Sequence, residues 1–294
     1  MDKEHYGAVC RLVKAALDED VGRGDLTSLA CLEPGPIKAK ITAKSDGILS
    51  GIEPALIAFD IVDSANVIRP LKKDAEHFSR GDIVMEIDGF NQTVLTAERT
   101  ALNFMAHLSG IASFTNQFVE KIKGSSCRIL DTRKTTPGWR YLEKMAVVHG
   151  GGCNHRFGLY DMVLIKDNHI SSAGSIKSAV EKTMGYLDTP EFRLQFEMKA
   201  EEVGIEVEVT NESQVEEAIS AGVTRLLLDN QTPQTLAVLV KLARSLNPKV
   251  ELEASGNVNL DTVADMAASG VDFISVGSIT HSARASDFSM TVID

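Results

Sequence analysis

The first third of the chain carries a helical pattern followed by strand patterns. Apolar residues recur at helical spacing over 4–20 and predict an amphipathic helix. Apolar and polar residues then alternate along 37–44, which predicts a strand with one exposed face, and 83–87 predicts another strand. The pattern over 93–123 predicts two helical segments that break near Ser109-Gly110. Together these elements indicate an α+β domain built on one sheet.

The second half has a different rhythm, in which short buried strands alternate with helices. The apolar runs begin near Ile129, Val163, Ile205, Leu226, Val250 and Phe273, and helical patterns fill 211–221, 233–245 and 259–269. Ser213 and Glu216 have the spacing of a capping box at the start of the first of these helices. Alternating strands and helices imply a parallel sheet with right-handed crossovers. Because six such units fall short of the eight of a closed barrel, the pattern favours an open, incomplete α/β barrel, with a doubly wound sheet as the alternative.

Composition and charge exclude several classes of protein. The 294 residues are 44% hydrophobic and 24% charged, as in globular proteins, and the formal charge of −11 argues against general nucleic-acid binding. No apolar run approaches the roughly 18 residues of a membrane helix, and the first residues do not resemble a signal peptide. The four cysteines form no CxxC pair, which fits a reducing compartment. We therefore expect a cytoplasmic protein with neither nucleic acid nor membrane as a partner.

Charged and small polar residues follow every predicted strand of the second half. They are Asp131-Thr132-Arg133-Lys134, Lys166-Asp167-Asn168-His169, Glu206 with Glu208, Asp229-Asn230, Glu253-Ala254-Ser255-Gly256 and Ser275-Val276-Gly277-Ser278. Barrel enzymes build their active sites at the carboxyl ends of the strands. The pattern therefore predicts a catalytic mouth at this end of the sheet.

One segment is basic although the chain as a whole is acidic. Residues 128–169 hold seven Lys and Arg against four Asp and Glu, a net charge of +3. Within it, Arg140 and Lys144 fit an exposed helix face, whereas Arg133, Lys134, Arg156 and Lys166 lie at strand ends or beside glycines. These four favour a substrate with several anionic groups. The glycine run Gly150-Gly151-Gly152, together with Gly256 and Gly277 after strands, favours phosphate binding.

Other chemistries have weaker support. His149, Cys153 and His155 do not have the spacing of a zinc site. Lys166 at a strand end leaves a Schiff-base lyase open as an alternative. The sequence has no GxSxG, Walker or GxGxxG motif, so it gives no basis for a hydrolase, a P-loop protein or an organic nucleotide cofactor.

Ordered motifs over 98–282 resemble the quinolinate phosphoribosyltransferases, also called carboxylating nicotinate-nucleotide pyrophosphorylases. The motifs are Glu98-Arg99-Thr100-Ala101-Leu102-Asn103, Thr132-Arg133-Lys134-Thr135-Thr136-Pro137-Gly138, Gly150-Gly151-Gly152-x-Asn154-His155-Arg156, Leu164-Ile165-Lys166-Asp167-Asn168-His169, Glu206-Val207-Glu208, Leu228-Asp229-Asn230, Leu252-Glu253-Ala254-Ser255-Gly256 and Ser275-Val276-Gly277-Ser278-x-Thr280-His281. The sequence departs from the family at Trp139, at Met145 and along 185–204, but none of these departures removes a charged motif residue.

The resemblance implies a fold, a reaction and an assembly. The fold is an N-terminal α/β sandwich domain, placed here at 1–112 with a return of C-terminal residues, and an open α/β barrel at 113–294. The reaction joins quinolinate to phosphoribosyl pyrophosphate and yields nicotinate mononucleotide, pyrophosphate and CO2, a step of de novo NAD biosynthesis. The implied cofactor is Mg²⁺, and the implied assembly is a homodimer or larger homo-oligomer in which Arg99 reaches a neighbour's barrel.

The resemblance also assigns roles to residues at matching motif positions. Residues expected to bind substrate are Arg99, Thr132, Arg133, Lys134, His155, Arg156, Lys166, Glu208, Asp229, Ser255, Gly256, Asn257, Val276, Gly277, Ser278 and His281. Among them Lys134, Lys166, Glu208 and Asp229 are expected to be catalytic, with Glu208 and Asp229 near the ribose and an Mg²⁺ held mainly by substrate phosphates. Two alternatives stay open beside the Schiff-base lyase: a related enzyme that acts on another ring acid, and a non-enzymatic phosphosugar-binding protein.

Overall fold

The computed structural model describes residues 3–293, which form two compact units. The first unit comprises the chain up to Asn116, the segment Lys134–Gly152 and the chain from Ser278 onward; the second comprises Gln117–Arg133 and Cys153–Gly277. Because the units are interleaved along the chain, they do not test the single domain boundary expected near residue 112, which stays a prediction. Among the described residues, no helix has both the length and the apolar character needed to cross a bilayer.

The first unit combines helices with antiparallel strands. Its elements are α1 (Lys3–Val21), α2 (Leu26–Cys31), β1 (Pro36–Ala43), β2 (Gly47–Ile48), α3 (Ile52–Val62), β3 (Val67–Pro70), β4 (His77–Phe78), β5 (Ile83–Phe90), most of α4 (Asn91–Lys121), α5 (Arg140–His149), α12 (Ser278–His281) and β12 (Phe288–Ile293). The strands form a four-stranded sheet in the order β12-β1-β5-β3 and a second sheet of β2 and β4. The alternation along β1 is confirmed, since Ala39, Ile41 and Ala43 are buried. C-terminal β12 pairs antiparallel with β1, so the end of the described chain returns to the N-terminal sheet.

The expected break near Ser109-Gly110 is wrong, because α4 continues through both residues. The hydroxyl of Ser109 donates to the carbonyl of Ser50 and accepts from its amide, so this serine connects the helix to another segment of its unit. A side chain at position 110 would overlap the carbonyl oxygen of Arg284. The Ser-Gly pair therefore permits close packing on the outside of the helix and does not interrupt its backbone.

The second unit contains all six strands predicted for the barrel. Its elements are β6 (Arg128–Leu130), β7 (Val163–Ile165), α6 (Asp167–Ala173), α7 (Ile176–Leu187), α8 (Pro190–Phe196), a 3-10 turn (Ala200–Glu202), β8 (Ile205–Val209), α9 (Glu212–Ser220), β9 (Arg225–Asp229), α10 (Pro233–Leu246), β10 (Glu251–Ser255), α11 (Val263–Ala268) and β11 (Phe273–Ser275). The family departure along 185–204 falls on the end of α7, on α8 and on the 3-10 turn.

The strand order of the second unit confirms the open barrel and excludes the doubly wound sheet. The order is β6-β11-β10-β9-β8-β7, and every pair is parallel. Neighbours in sequence are neighbours in the sheet, except that β6 pairs with the last strand and not with β7. A doubly wound sheet would instead reverse its strand order at an internal point. The sheet is therefore a six-stranded barrel that is open between β6 and β7.

A short segment lies along the free edge of β6. Cys153 forms a parallel bridge with Leu130, its amide donates to Ile129, and its carbonyl accepts from the amide of Asp131. These bonds satisfy backbone groups of β6 that a seventh strand would otherwise pair with. The residues that follow, His155 and Arg156, are thereby fixed beside the barrel opening.

Two details of the helices differ from the sequence-based expectation. The N-cap of α9 is Asn211, whose side chain accepts from the amide of Gln214, so the predicted capping box of Ser213 and Glu216 is wrong. Lys144 on α5 is only 2% exposed, so its assignment to an exposed helix face is also wrong. A helical pattern shows which residues share a face but not whether a charged face is covered by other parts of the chain.

Candidate active site

The carboxyl ends of the parallel strands bring the predicted site residues of the second unit to one edge. Thr132 and Arg133 follow β6, Lys166 follows β7, Glu208 lies in β8, Asp229 ends β9, Ser255 ends β10, and Val276 and Gly277 follow β11. Asp229 and Ser255 are direct register partners, as are Ile165 and Val207 immediately before Lys166 and Glu208. The predicted concentration of polar groups at this edge therefore exists for these residues, whereas Glu206, the second residue of β8, lies toward the other end of its strand.

Two guanidinium groups lie close enough to repel each other. The pKa of Arg156 is below its usual value, first because the group is partly buried and second because of the positive charge of Arg133. Asp161 and Glu206 oppose this effect but do not cancel it. A pair of like charges held in a partly desolvated place is stabilised by an anion that accepts hydrogen bonds from both. Arg133 and Arg156 together are therefore suited to a ligand with more than one anionic group.

Backbone contacts hold the loop that carries Arg156. The side chain of Asp161 accepts from the amides of Phe157 and Gly158, and Nη1 of Arg156 donates to the carbonyl of Met162 at 3.1 Å. Arg156 thus uses one guanidinium nitrogen to fix its own direction. The sequence patterns assigned no role to Asp161. The available signal was its position four residues after Phe157 in a glycine-containing loop, a spacing at which a carboxylate can accept from nearby backbone amides.

Where the two arginines are both cations, β7, β8 and β9 bring together one lysine and two carboxylates. Nζ of Lys166 lies 3.4 Å from Oε2 of Glu208. Burial raises the pKa of Glu208; Lys166 lowers it, Asp229 raises it again, and the result lies above the usual value. Lys166 precedes α6, and the imidazole of His169 accepts its backbone amide at 2.9 Å, which explains the Lys-x-x-His spacing in physical terms.

The carboxylates of Glu208 and Asp229 have the donor chemistry that Mg²⁺ requires. Magnesium prefers oxygen ligands and is commonly held by one or two carboxylates together with substrate phosphates. Burial, and to a smaller extent repulsion from Asp229, raise the pKa of Glu208, and a divalent cation between the two carboxylates would relieve this repulsion. These two residues therefore fit a magnesium ion bound jointly with a phosphorylated substrate.

Asparagines and glycines tie together the loops after β9 and β10. Nδ2 of Asn230 donates to the carboxylate of Asp229 at 2.6 Å, and Nδ2 of Asn257 donates to Oδ1 of Asn230 at 3.2 Å. Gly256 has φ +89, and a Cβ there would overlap the side chain of Asn230 and lie 3.0 Å from its Cα. The glycine is required because the two loops approach each other closely. Asn230 itself lies in the left-handed region at φ 53, a conformation that Asn tolerates better than most residues.

The ring of His155 uses both nitrogens within the protein. Its Nδ1 accepts the amide of Arg156 at 2.6 Å, so the ring hydrogen lies on Nε2, which faces Glu206 at 3.0 Å and Glu253 at 3.5 Å. The backbone amide of His155 donates to the fully buried carboxylate of Asp131 at 2.9 Å. The structure thus directs this ring into the barrel, and the substrate contact expected for His155 stays a prediction.

Behind the ring lies a buried ion network that the sequence did not reveal. Arg225, the first residue of β9, donates from Nε to Glu206 at 3.1 Å and from Nη2 to Glu253 at 2.7 Å. The ring of Phe273 lies under its guanidinium, with 4.4 Å from the carbon to the ring centroid. Sequence reasoning noted both glutamates at strand ends but not Arg225, whose only signal was a cation at the start of an otherwise apolar strand.

The buried network leaves one carboxyl group easily protonated. Burial, and next the charge of Glu206, raise the pKa of Glu253 to about 7. Burial also acts to raise the pKa of Glu206, but the hydrogen bonds from His155 and Arg225 outweigh it and leave that pKa below its usual value. The negative charge of the pair therefore resides mainly on Glu206, opposite a single guanidinium.

Four of the predicted site residues belong to the first unit. Arg99 is exposed on α4, and Ser278 and His281 begin and end α12. The hydroxyl of Thr280 donates to the carbonyl of Lys134 at 2.7 Å and so connects α12 to that lysine's backbone. The roles expected for Arg99, Lys134, Ser278 and His281 stay predictions.

The glycine run was predicted to favour phosphate binding, and this interpretation is wrong. The amides of Gly150, Gly151 and Gly152 donate to the carbonyls of Ala146, Val148 and Val147, so these residues end helix α5. A Cβ at position 150 would overlap the carbonyl oxygen of Ala112. Helix termination and close packing therefore account for the glycines.

The geometry adds nothing in favour of zinc. Within the first unit Nδ1 of His149 lies 2.9 Å from Oγ of Ser50, whereas His155 faces the interior of the second unit. His155, Glu206 and Glu253 do place ligand atoms within 4.8 Å of one another. The guanidinium of Arg225, however, already supplies the cation between the two glutamates.

Comparison with known proteins agrees with these observations. The family model "Quinolinate phosphoribosyl transferase, N-terminal domain" matches residues 25–109, and the model of the C-terminal domain of the same family matches residues 111–291. A probable carboxylating nicotinate-nucleotide pyrophosphorylase of Bacillus subtilis is 40% identical over 275 residues, which cover 93% of this chain and 90% of that protein. A chloroplastic carboxylating nicotinate-nucleotide pyrophosphorylase of Arabidopsis thaliana is 38% identical and covers 96% of this chain and 82% of its own.

A solved structure extends the similarity to the fold. The nicotinate-nucleotide pyrophosphorylase of Francisella tularensis superposes with a TM-score of 0.89 at 39% identity, over 98% of this chain and 97% of that one. The match removes the ground for a Schiff-base lyase, and it confirms both the resemblance and the enzyme class that the motifs imply. The chain belongs to the quinolinate phosphoribosyltransferase family.

Proposed function

We propose that this chain transfers the phosphoribosyl group of phosphoribosyl pyrophosphate to quinolinate and releases pyrophosphate and CO2. The observation that carries the proposal is the match of both parts of the chain to the quinolinate phosphoribosyltransferase family, in which Arg133 and Arg156 supply a pair of cations. Burial and then the repulsion from Arg133 lower the pKa of Arg156. Quinolinate has two adjacent carboxylates on a flat ring, and planar guanidinium groups bind carboxylates through paired hydrogen bonds. Binding of this dianion would relieve the repulsion and so supplies affinity specific to a diacid.

Lys166 and the two carboxylates beside it act at the sugar. In the transfer the pyridine nitrogen forms a bond to C1 of the ribose as the bond from C1 to the pyrophosphate oxygen breaks. Positive charge develops on the ribose, and Glu208 and Asp229 can stabilise it electrostatically. Lys166, paired with Glu208 at 3.4 Å, is suited to hold a carboxylate or phosphate at the same place. No nucleophilic side chain is required, because the substrate nitrogen is the nucleophile.

The product of the transfer explains the loss of CO2. Once bonded to the ribose, the ring nitrogen is cationic and lies next to a carboxylate-bearing carbon. The bond from that carbon to its carboxylate breaks, the electron pair stays on the carbon beside the positive nitrogen, and a proton then replaces the carboxylate. The ring itself stabilises the carbanion, so the proposed mechanism needs no organic cofactor.

The proposal includes an Mg²⁺ ion that binds together with the pyrophosphate group of phosphoribosyl pyrophosphate. Glu208 and Asp229 would hold it together with the substrate phosphates, and it would neutralise charge on the departing pyrophosphate. Ser255, Gly256, Asn257, Val276 and Gly277 lie after β10 and β11 and are proposed to bind phosphate, as loops at this end of barrels often do. We further propose a cytoplasmic homodimer or larger homo-oligomer to which Arg99 contributes across subunits.

The test is a side-by-side assay of ring acids. Purified protein is incubated with phosphoribosyl pyrophosphate, Mg²⁺ and either quinolinate, nicotinate or pyridine-2,6-dicarboxylate, and pyrophosphate and CO2 are measured separately. The proposal expects equal amounts of both products with quinolinate and neither with nicotinate. Turnover with another ring acid in preference to quinolinate would indicate a related transferase. Binding of phosphoribosyl pyrophosphate without any pyrophosphate release would indicate a phosphosugar-binding protein.

A further inference from the structure

We propose that Arg225 and Glu206 are positioning residues for Arg156 and act on it through the ring of His155. The inference rests on the proposed function, because it assigns Arg156 to binding of the ring diacid. Arg225 and Glu206 do not reach the carboxyl edge of the barrel themselves. Glu206 on β8 and Arg225 on β9 are register partners, and each lies in the amino-terminal half of its strand.

The first step is an unbroken series of hydrogen bonds. Nε of Arg225 donates to Oε1 of Glu206, and Oε2 of Glu206 accepts from Nε2 of His155 at 3.0 Å. Nδ1 of the same ring accepts the backbone amide of Arg156 at 2.6 Å. Three side chains thus connect the start of β9 to the backbone of the residue that carries the guanidinium.

The second step is that this series allows only one ring tautomer. The hydrogen bonds from His155 and Arg225 outweigh burial and keep the pKa of Glu206 below its usual value, so its carboxylate accepts, and this requires a hydrogen on Nε2 of His155. The remaining nitrogen is then an acceptor, as the amide of Arg156 requires. With the opposite tautomer, two hydrogens would face each other between His155 and Arg156.

The third step is that the network is rigid and nearly neutral. Glu206 and Glu253 are fully buried, and the ring of Phe273 packs against the guanidinium of Arg225. Because the pKa of Glu253 is raised to about 7, the two buried glutamates carry less negative charge near neutral pH than two ordinary carboxylates, and Arg225 balances most of it. Such a network holds a side chain in one orientation, whereas solvent-exposed partners would exchange with water.

Loss of this hydrogen-bond series should affect binding of quinolinate more than the reaction at the ribose. Glu208 and Asp229 lie farther along the same strands as Glu206 and Arg225, toward the carboxyl ends, and Lys166 pairs with Glu208 outside this series of hydrogen bonds. Misplacement of Arg156 should therefore raise KM for quinolinate and leave KM for phosphoribosyl pyrophosphate nearly unchanged. Loss of a well-placed hydrogen bond to a charged group weakens binding by about tenfold or more, so we expect an increase of about tenfold or more in KM for quinolinate.

Glu206→Gln is the sharpest variant, because it keeps the shape of the side chain. Glutamine has a single oxygen acceptor, whereas the hydrogens of Arg225 and His155 require two. One of the two must lose its partner, and an amide hydrogen facing His155 would favour the other tautomer. Arg225→Met is the second variant, and Arg225→Lys is the conservative one, expected to recover part of the loss because it restores the charge.

Arg244→Met is the matched control. Arg244 on α10 makes a two-bond ion pair with Asp272, at 2.8 and 2.7 Å, within the same unit, but it has no contact with His155 or Arg156 among the described residues. It should reduce the free energy of unfolding, by less than Arg225→Met because its ion pair is more exposed, and leave both KM values unchanged. Unfolding by urea is measured for every variant so that a loss of folded protein is separated from a change in KM.

A second measurement does not depend on activity. The ¹⁵N chemical shifts of the His155 ring, assigned by comparison with His155→Asn, should show hydrogen on Nε2 in the unmodified protein and a changed tautomer ratio in Glu206→Gln. Hydrogen on Nδ1 in the unmodified protein would overturn the inference. It would also be overturned if Arg225→Met changed the KM values for quinolinate and for phosphoribosyl pyrophosphate no differently from Arg244→Met. Absence of quinolinate turnover with the expected tautomer present would instead overturn the proposed function.

Discussion

The ammonium nitrogen of Lys166 lies 3.4 Å from a carboxylate oxygen of Glu208, at the end of β7 beside β8. The lysine side chain is 47% exposed and the glutamate only 14%, so the pair has one side toward water. This asymmetry allows Lys166 to meet an anionic substrate while Glu208 stays fixed in the strand. The network of Arg225 and Glu206 is proposed to serve the guanidinium of Arg156 in a comparable way, with Glu206 fully buried and Arg225 20% exposed.

Lys166→Ala should reduce kcat/KM by the equivalent of about 2–5 kcal/mol, because it removes a cation from a partly desolvated site and leaves Glu208 without its partner. Lys177→Ala is the matched control: Lys177 also pairs with a glutamate, Glu181, but both side chains are exposed. Steady-state kinetics with both substrates measures the effect. Unchanged kcat/KM in Lys166→Ala would contradict the assignment of this lysine to the site.

Glu253→Gln should make the stability of the protein less dependent on pH. The pKa of Glu253 in the folded protein is raised to about 7, whereas an unperturbed Glu has a pKa of about 4.3. Its stabilising contribution is therefore complete below the unfolded value and is lost as the pH rises through about 7. Urea unfolding between pH 5 and pH 8 measures the free energy of unfolding, and its slope against pH should be smaller in the variant. An identical slope in the two proteins would mean that Glu253 is ionised throughout.

Gly256→Ala should weaken binding of phosphoribosyl pyrophosphate, because a methyl group there displaces Asn230 and with it the partner of Asp229. Gly222→Ala separates this steric effect from backbone strain, since Gly222 has φ +88 against +89 at Gly256 but its nearest neighbour lies 3.7 Å from the added Cβ. The strain alone costs about 1–2 kcal/mol of stability in either variant. Titration of phosphoribosyl pyrophosphate should show weaker binding in Gly256→Ala only; equal affinity in both variants would contradict the proposed loop contact.

Mixing two inactive variants tests the proposed assembly. Arg99→Ala and Lys166→Ala subunits, exchanged by mild denaturation and refolding, should regain part of the activity, because a hybrid dimer contains one site in which both residues are present. Each variant refolded alone is the control. If activity does not return although mass spectrometry detects hybrid dimers, Arg99 acts within its own subunit or has no role in the site.

Local patterns were sufficient for much of the fold. The six strands of the second unit begin within two residues of the predicted starts, and β1 has the predicted buried face. Strand and helix periodicities report burial on one side of an element, so they survive in a single sequence. The same reasoning located Lys166, Glu208 and Asp229, because the ends of parallel strands must meet at one edge.

Two of the wrong inferences failed because of a neighbour distant in sequence. Ser109-Gly110 has the composition of a break, yet packing against Ser50 and Arg284 keeps the helix continuous. Lys144 has the spacing of an exposed charge and is buried. In each case a segment distant along the chain packs on the residue and decides its environment.

The sequence by itself determined the elements, the barrel class and the family chemistry, because periodicity and ordered motifs are local properties. Only the tertiary structure decided what the charged residues do within it. Arg225 and His155 lie 70 positions apart along the chain, yet both bind the same two buried glutamates. Hydrogen bonds and desolvation depend on distances of a few ångströms, and these exist only once the strands have assembled.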